Sequence, residues 1–265
     1  EVQMKSPLEI AQKYVAAGEA KAKLPLTNLL LLGILAGAFI ALGAFGSSVA
    51  SCNVACAAAS RMMSALVFPI GLTMVVVTGA ELFTGNCLLI IPVLAGRMKF
   101  TSMLRNWLFS YIGNFIGSLI IVLLICFSRS CMMYGGLLAD GMVALALSKV
   151  KLGFAEAFLR AILCNIMVCA AVWMSFATDD LAGKVPAIFL PIALFVLGGF
   201  EHCVANMYFI PAGIIASGLF NIPAEGLSWS ALFLKNLLPV TLGNIAGGSI
   251  FIGVLFWFLN LRKAE

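Results

Sequence analysis

The residues of this sequence whose side chains could do chemistry are few, and they stand inside long apolar stretches. Glu81 and Glu201 are each the single charged residue of such a stretch, and each is followed five positions later by an asparagine, Asn86 or Asn206. His202, the one histidine of the chain, directly follows Glu201. Because an unpaired polar group in hydrocarbon costs on the order of several kcal/mol, these side chains must meet partners, water or a permeating solute.

The composition excludes a water-soluble enzyme, a nucleic-acid-binding protein and a disordered chain. Hydrophobic residues make up 63% of the 265 residues and charged residues only 10%. A soluble domain carries roughly 25% charged residues, so this chain has too few charges to cover a surface that faces water. An all-α membrane protein with several spans remains.

Six stretches are long and apolar enough to predict transmembrane helices, since a span needs about 20 residues. Residues 1–25 are predicted to form an amphipathic segment on the membrane surface, and residues 26–261 a single transmembrane domain. Ten Lys and Arg residues would lie on the side of the two termini and six on the other side. This excess predicts that both termini are cytoplasmic. The predicted spans are 26–46, 64–95, 106–127, 156–177, 185–218 and 235–260.

Two motifs of the first half recur in the second half. Gly-x-Glu-x-x-x-x-Asn occurs at 79–86 in span 2 and at 199–206 in span 5. Gly-Asn-x-x-Gly occurs at 113–117 in span 3 and at 243–247 in span 6. The motifs keep their order, although spans 1 and 4 align only weakly. They indicate a duplicated unit of three spans.

The two copies, at about 26–127 and 156–260, must have opposite orientations in the membrane because each has an odd number of spans. Such an inverted 3+3 repeat is typical of transport proteins. Spans 2 and 5 are predicted to break near the middle of the membrane, at Thr84–Gly85 and Gly198–Gly199. The half-helices would present N-termini, whose partial positive charge suits an anion.

Two interpretations of the buried acids and two of the histidine stay open. Glu81 and Glu201 either line a substrate path or, as their equivalent positions favour, lock helices together through buried hydrogen bonds. The position equivalent to His202 holds Leu82, and an architectural residue would more often recur in both copies. A neutral imidazole exchanges a proton near neutral pH, which suits a permeant weak acid. The alternative is a histidine that is hydrogen-bonded within the helix bundle.

Bulky apolar side chains flank the predicted breaks and could form narrow gates, although each alone could equally pack in the core or face lipid. Lys149 and Lys151 precede span 4. They are either solvated loop charges or part of a vestibule that attracts anions. The predicted gate residues are Phe68, Leu72, Leu82, Phe83, Leu194, Phe195 and Phe200.

Three classes of function fit a membrane protein with these residues. The first is a pore or proton-linked transporter for small monovalent anions. The second is a neutral-solute channel of the glycerol or water type, which the missing Asn-Pro-Ala pair disfavours. The third is an intramembrane enzyme, which would need a nucleophile–base pair or a metal cluster. No nucleotide-binding motif and no His-rich metal set occurs in the sequence, so no cofactor or metal is expected. Cys52 and Cys56 are interpreted as small residues on one helix face rather than metal ligands.

Several segments resemble the signature of the formate/nitrite transporter family. They are 81–86, 161–165, 199–207, 211–213 and 238–244. Together they span nearly the whole chain. Within the family, the sequence looks most like the branch that conducts hydrosulfide.

The resemblance implies roles for individual residues. Thr84 is similar to the threonine of the span-2 loop, which hydrogen-bonds in the pore, and His202 to the central pore histidine. Lys149, Asn165 and Glu201 resemble a polar set associated with the central site and the outer vestibule. The resemblance places Leu82, Phe83, Leu72, Phe68 and Phe195 at or near two constrictions.

The resemblance also implies an aquaporin-like arrangement of the six spans and a homopentamer with one pore in each protomer. The expected location is the cytoplasmic membrane of a prokaryote, and the expected partners are membrane lipid and small anions: hydrosulfide, formate or nitrite. As a mechanism, Lys149 and the half-helix ends would attract the anion. Thr84 and His202 would then orient it or exchange a proton between the gates.

Overall fold

The computed structural model describes residues 4–262, and all regular secondary structure in that range is helical. The first half contains α1 (Pro7–Ala22), α2 (Leu26–Ser51), α3 (Ala57–Val67), α4 (Pro69–Thr78), α5 (Phe83–Asn86), α6 (Ile90–Leu94) and α7 (Phe100–Phe127), with a 3₁₀ turn at Cys87–Leu89. The second half contains α8 (Leu137–Val150), α9 (Phe154–Ser175), α10 (Leu181–Gly198), α11 (Cys203–Phe220), α12 (Leu238–Ile245) and α13 (Leu255–Asn260). A 3₁₀ segment, Ser130–Gly136, precedes α8, and π-helical stretches, Ala231–Leu237 and Ala246–Val254, flank α12.

The predicted all-α class is confirmed, and eight helical segments of the described chain are long and apolar enough to cross a membrane. The sequence predicts six spans, and the difference arises in two places. α10 and α11 are two separate helices, each long enough to cross a membrane, whereas the sequence predicts one span with a break. The segment Ser130–Val150 is apolar and largely helical, whereas the sequence places it in a loop that runs to about residue 155.

The first half of the chain has a helix break earlier than predicted. α4 ends because Gly79 adopts the left-handed backbone conformation, with φ +73°, which only glycine adopts at little cost. Helix resumes at α5 after Leu82, whose backbone is extended. The predicted break at Thr84–Gly85 is wrong, because both residues lie inside α5. The glycine that ends the helix is Gly79, the first residue of the repeated Gly-x-Glu-x-x-x-x-Asn motif, and not Gly85, which follows Thr84.

The second half has its break where the sequence places one, at Gly198–Gly199. α10 ends there because Gly199 has φ +65°, and α11 begins after the extended residue His202. Gly79 and Gly199 are the equivalent glycines of the repeated motif. The two breaks therefore have the same construction.

Glycines allow neighbouring helices to touch backbone to backbone in both halves. A Cβ added at Gly117 of α7 would lie 1.9 Å from the carbonyl oxygen of Ile34 in α2. A Cβ added at Gly247, after α12, would lie 2.3 Å from the carbonyl oxygen of Ile162 in α9. The glycines are 130 positions apart and the two carbonyls 128 apart. The matching contacts show that α2 and α9 are equivalent helices of the repeat, at an offset of 128 residues. The sequence alone aligns these two spans only weakly.

The amphipathic helix α1 packs against the bundle instead of standing free. Gly18 gives room to Pro92, whose ring would lie 2.5 Å from an added Cβ. Lys13 and Lys5 form salt bridges with Asp179, in the loop between α9 and α10. Their ammonium groups lower the pKa of the Asp179 carboxyl to about 2. The Asp179 carboxyl is therefore ionised, and able to pair with both lysines, over the whole physiological pH range.

We expect Gly117→Ala to destabilise the protein, because the new methyl group must push α2 and α7 apart. Overpacking of this kind costs about 1–3 kcal/mol. The matched control is Gly218→Ala in α11, where an added Cβ meets no atom within 4 Å. Thermal unfolding in detergent, followed by tryptophan fluorescence, measures both variants. An unfolding temperature of Gly117→Ala equal to that of the control would contradict the close helix contact.

Candidate functional site

Two cavities enter the helix bundle from opposite ends of α2. The wide cavity, about 810 Å³, is lined by Ser47 and Ser51 at the C-terminal end of α2 and, more deeply, by His202. The narrow cavity, about 170 Å³, is lined by Tyr14 and Lys21 of α1, which precedes α2 in the chain. Open space therefore approaches the helix breaks from both faces of the protein.

Pairs of apolar side chains line each cavity where it approaches the centre. Phe68 and Phe195 line the wide cavity and pack edge to face, with ring centroids 5.3 Å apart and planes at 87°. Leu72 and Leu82 line the narrow cavity, and both are almost fully buried. The structure thus brings four of the predicted gate residues to two apolar barriers in series. Phe200 also lines the wide cavity.

Two other predicted gate residues lie elsewhere. Phe83 is the first residue of α5, and its ring packs against Tyr111 and Trp107 of α7, at centroid distances of 4.9 and 6.0 Å. Leu194 is 54% exposed. It precedes Phe195 by one helical position, about 100° around the helix, and therefore faces away from the cavity. Neither residue lines the wide or the narrow cavity.

Between the barriers, the breaks bring Thr84 and His202 together. The hydroxyl oxygen of Thr84 lies 2.8 Å from Nε2 of His202, and both residues are buried. The backbone amide of Ala205 donates to Nδ1 of the same ring at 3.0 Å. Nδ1 therefore carries no proton, and the ring is neutral with its proton on Nε2. Nε2–H donates to the threonine oxygen, which leaves the threonine hydroxyl proton available for a solute.

Asn165 holds the threonine segment from behind. Its side-chain amide donates to the backbone carbonyl of Thr84 at 3.2 Å and to that of Asn244 at 2.7 Å. Its Oδ1 atom is buried without a hydrogen-bond partner among the described residues. Asn165 does not line either cavity. It contacts the backbone of the site rather than the open space.

A network of hydrogen bonds surrounds the buried carboxylate of the first break. Lys21 of α1 donates to Oε1 of Glu81 at 2.6 Å. Asn86 and Asn106 donate to Oε2 at 2.8 and 3.0 Å. Glu81 is 2% exposed, so this charge depends on its partners rather than on water.

The second break repeats the network with its own residues. Lys149 of α8 donates to Oε1 of Glu201 at 2.9 Å, and Asn206 donates to Oε2 at 2.7 Å. Asn236 accepts a hydrogen bond from Asn206 at 2.8 Å, as Asn106 does from Asn86 in the first half. The geometry favours the interpretation in which both acids lock helices together.

A second pair of asparagines fixes the start of each half-helix. Asn114 accepts a hydrogen bond from the first amide of α5 at 2.9 Å and donates to the carbonyl of Glu81 at 2.9 Å. Asn244 likewise accepts a hydrogen bond from the first amide of α11 at 2.9 Å and donates to the carbonyl of Glu201 at 3.0 Å. These are the asparagines of the repeated Gly-Asn-x-x-Gly motif, so the motif serves to cap the breaks.

Sequence reasoning missed Lys21 as part of the site. Its signal is the spacing: Lys21 precedes Lys149 by 128 positions, the same offset that relates α2 to α9. α1 is therefore the counterpart of α8, and each helix delivers one lysine to one buried acid. Lys23 precedes Lys151 by the same 128 positions, so it is the salt bridge to Glu201 that identifies Lys149 rather than Lys151 as the residue at the acid.

The arrangement suits the passage of a small solute that sheds its water. Each buried acid already has a lysine partner, so a solute meets few unpaired charges on the way in. The two apolar barriers penalise a hydrated ion, and the Thr84–His202 pair offers a hydrogen-bond donor between them. Among residues 4–262, no group of three or more His, Cys, Asp or Glu side chains could hold a metal ion.

Comparison with known proteins links this geometry to a family. Residues 8–258 match the sequence profile of the formate/nitrite transporter family. A probable formate transporter of Methanothermobacter thermautotrophicus is 38% identical to this chain, and the alignment covers 98% of each sequence. The formate channel FocA of Haemophilus influenzae is 41% identical over 86% of this chain and 85% of its own length.

Two solved structures are similar to this one. A pentameric formate channel with formate bound has a TM-score of 0.79 and 34% identity, over 89% of this chain and 98% of that one. An ion channel of the same family has a TM-score of 0.84 and 27% identity, over 94% of this chain and 98% of that one. The family profile, which matches residues 8–258, spans the cavities, both breaks and both networks.

We expect Lys21→Met to destabilise the protein by on the order of 3 kcal/mol, because it leaves a buried carboxylate unpaired. The double variant Lys21→Met/Glu81→Gln should recover most of that loss. Unfolding temperatures of the two single variants and the double variant give the coupling. Additive effects would contradict a direct charge pair at the first break.

Proposed function

The chain belongs to the formate/nitrite transporter family, and we propose that it is a passive membrane pore for small monovalent anions of weak acids, with formate as the first substrate to test. The family consists of channels and transporters, and the relatives described above are named for formate. The observation that carries the proposal is the Thr84–His202 contact, which lies between two apolar barriers and two cavities. A buried donor in that position can receive one small anion or its neutral acid.

We propose six spans in an inverted repeat, with α10 and α11 together forming one interrupted span. The equivalence of α1 and α8 supports this count. α1 carries Glu9, Lys13, Glu19 and Lys21 in its 16 residues, too many charges for a span. Its counterpart α8 accordingly lies at the wide cavity without crossing. Both termini are then on the side of the narrow cavity, which we assign to the cytoplasm of a prokaryotic cell.

The assembly that we propose is a homopentamer embedded in lipid, with one pore in each protomer. The similar structure named as a pentameric formate channel supports the number of subunits. The pore itself is built within one chain, because α2, α3, α8 and α10 supply the wide cavity and α1, α4 and α9 supply the narrow one. No residue of a neighbouring subunit is needed to complete the path.

The proposed mechanism follows from the cost of moving a bare charge past the gates. A desolvated carboxylate in an apolar slot costs far more than a neutral acid. We propose that the anion takes a proton from a hydronium ion of the aqueous solution in the cavity, which leaves water, and crosses the barriers as its neutral acid. The Thr84 hydroxyl orients the solute, and the neutral His202 ring holds that hydroxyl by donating from Nε2. The histidine positions the solute and need not change its own charge.

Hydrosulfide and nitrite remain predicted further substrates. Both are small anions of weak acids, as formate is, and the sequence resembles the hydrosulfide branch of the family. The three anions are ranked by their initial rates of uptake into proteoliposomes over a series of pH values.

Glycerol serves as the probe for a neutral-solute channel. Rapid glycerol flux without anion-dependent flux would replace the anion pore by that alternative.

We expect Thr84→Val to lower formate flux by about tenfold, because the isosteric side chain removes one hydrogen-bond donor from the path. The matched control is Thr73→Val in α4, whose hydroxyl binds the carbonyl of Pro69. The measurement is the initial rate of formate uptake into proteoliposomes. Equal rates for the two variants would show that the Thr84 hydroxyl has no part in permeation.

We expect His202→Asn to reduce flux while leaving the midpoint of its pH profile unchanged. Asparagine can still cap the start of α11, but it does not titrate. Uptake of formate across a pH series, in the variant and the wild type, provides the comparison. A midpoint that moves by a pH unit or more would show that the ring itself titrates during transport, and the neutral-ring mechanism would have to be abandoned.

A further inference from the structure

Arg61 differs from the other cationic residues of the wide cavity because it has no acidic partner. Lys149 is bound by Glu201 at 2.9 Å, and Arg160 is bound by Glu156 at 2.5 Å. Among residues 4–262, no carboxylate lies within 4 Å of the Arg61 guanidinium, and no hydrogen bond engages it. The paired residues form neutral pairs whose fields largely cancel, so Arg61 contributes most of the net positive charge at this mouth.

The structure places the Arg61 guanidinium directly at the second helix break. Its Nη1 atom lies 2.9 Å from the position that a Cβ on Gly199 would occupy. Gly199 is three residues before His202 and follows the Phe195 gate by four. The unpaired charge therefore stands beside the entrance to the wide-cavity barrier rather than on a distant surface.

The opposite mouth has no equivalent of this charge. Gly79 is the counterpart of Gly199, and an added Cβ there would meet no described atom within 4 Å. The position equivalent to Arg61, 120 residues later, holds Leu181. The cation of the narrow cavity, Lys21, is bound by Glu81. Among the described residues that line the two cavities, Arg61 is therefore the one cation without an acidic partner.

We propose that Arg61 makes the wide cavity a collecting site for anions, which raises their local concentration at the Phe68–Phe195 gate. This inference rests on the proposed anion pore. It identifies Arg61 as the residue that determines how well anions are captured from the side of the wide cavity. An unpaired charge in a cavity with low-dielectric walls attracts anions more strongly than the same charge on an open surface. A purely structural alternative exists, because a cation also stabilises the C-terminal end of a helix such as α10.

The first experiment measures formate flux into proteoliposomes at low formate concentration. Removing one unscreened charge near the path should lower the rate of Arg61→Gln by roughly two- to fivefold at an ionic strength of about 10 mM. The difference should vanish near about 0.5 M, where the Debye length is only about 4 Å. Arg61→Lys should keep most of the wild-type rate, and the rate at saturating formate should stay unchanged in all three proteins.

The matched control removes a neutral pair from the same cavity. Glu156→Gln/Arg160→Gln changes the net charge of the cavity by zero and should leave the low-salt rate within about twofold of the wild type. Arg61→Glu should lower that rate further than Arg61→Gln. A loss that persists at high salt, or that lysine does not restore, would assign Arg61 to the end of α10 and overturn the inference.

The second experiment measures anion binding and does not need flux. Detailed balance requires that a passive pore lose low-concentration flux equally in both directions, so a binding probe is used instead. Sulfate should raise the unfolding temperature of the detergent-solubilised wild type more than chloride at equal ionic strength, and should not do so for Arg61→Gln. Equal sulfate effects on both proteins would overturn the anion site.

In oriented vesicles, sulfate should inhibit formate flux only when added on the side of the wide cavity. Inhibition from both sides, or only from the narrow-cavity side, would contradict the placement. A wild type that binds sulfate through Arg61 but passes no formate would refute the proposed function and leave the anion site standing. A wild type that passes formate without any effect of Arg61 would refute only the anion site.

Discussion

The need to pair a carboxylate at each helix break is the constraint on which the rest of the structure depends. A charge buried to this extent is stable only where a cation and hydrogen-bond donors replace its water. Each half of the chain meets this need with a lysine from an accessory helix and an asparagine that follows the break, and in the first half Asn106 also donates to the acid. The breaks persist because side chains of α1, α5 and α7 converge on Glu81, and side chains of α8 and α11 converge on Glu201.

The breaks create the site because they place non-helical backbone at the centre of the bundle. One break brings Leu82 and Thr84 inward, and the other brings His202 to the same point. The two copies are not identical there, since the position of the leucine in one is the position of the histidine in the other. The internal repeat produces the two equivalent helix breaks. The Thr84–His202 pair forms because the repeat is not exact at this point.

Much of this architecture can be read from the sequence, because a polar residue in an apolar stretch is conspicuous. The composition predicts the all-α membrane class, and the repeated motifs predict that both acids and both asparagine pairs are equivalent. The exact break in the first half could not be read in this way, because Gly79 and Gly85 are both plausible ends of a helix. Only the backbone shows that Gly79 is left-handed and Gly85 helical.

Other features depend on contacts that no local pattern encodes. The role of Lys21 follows from a tertiary salt bridge, and its helix reads as a surface segment until α8 is seen to be its counterpart. The orientation of Leu194 away from the gate is set by how α10 packs. The most direct test of the central claim is a cryo-EM structure of the protein in lipid nanodiscs with formate. The account predicts density for one formate-sized solute within hydrogen-bond distance of the Thr84 hydroxyl, between the Phe68–Phe195 and Leu72–Leu82 barriers. Formate density outside those barriers, with the Thr84–His202 contact absent, would contradict it.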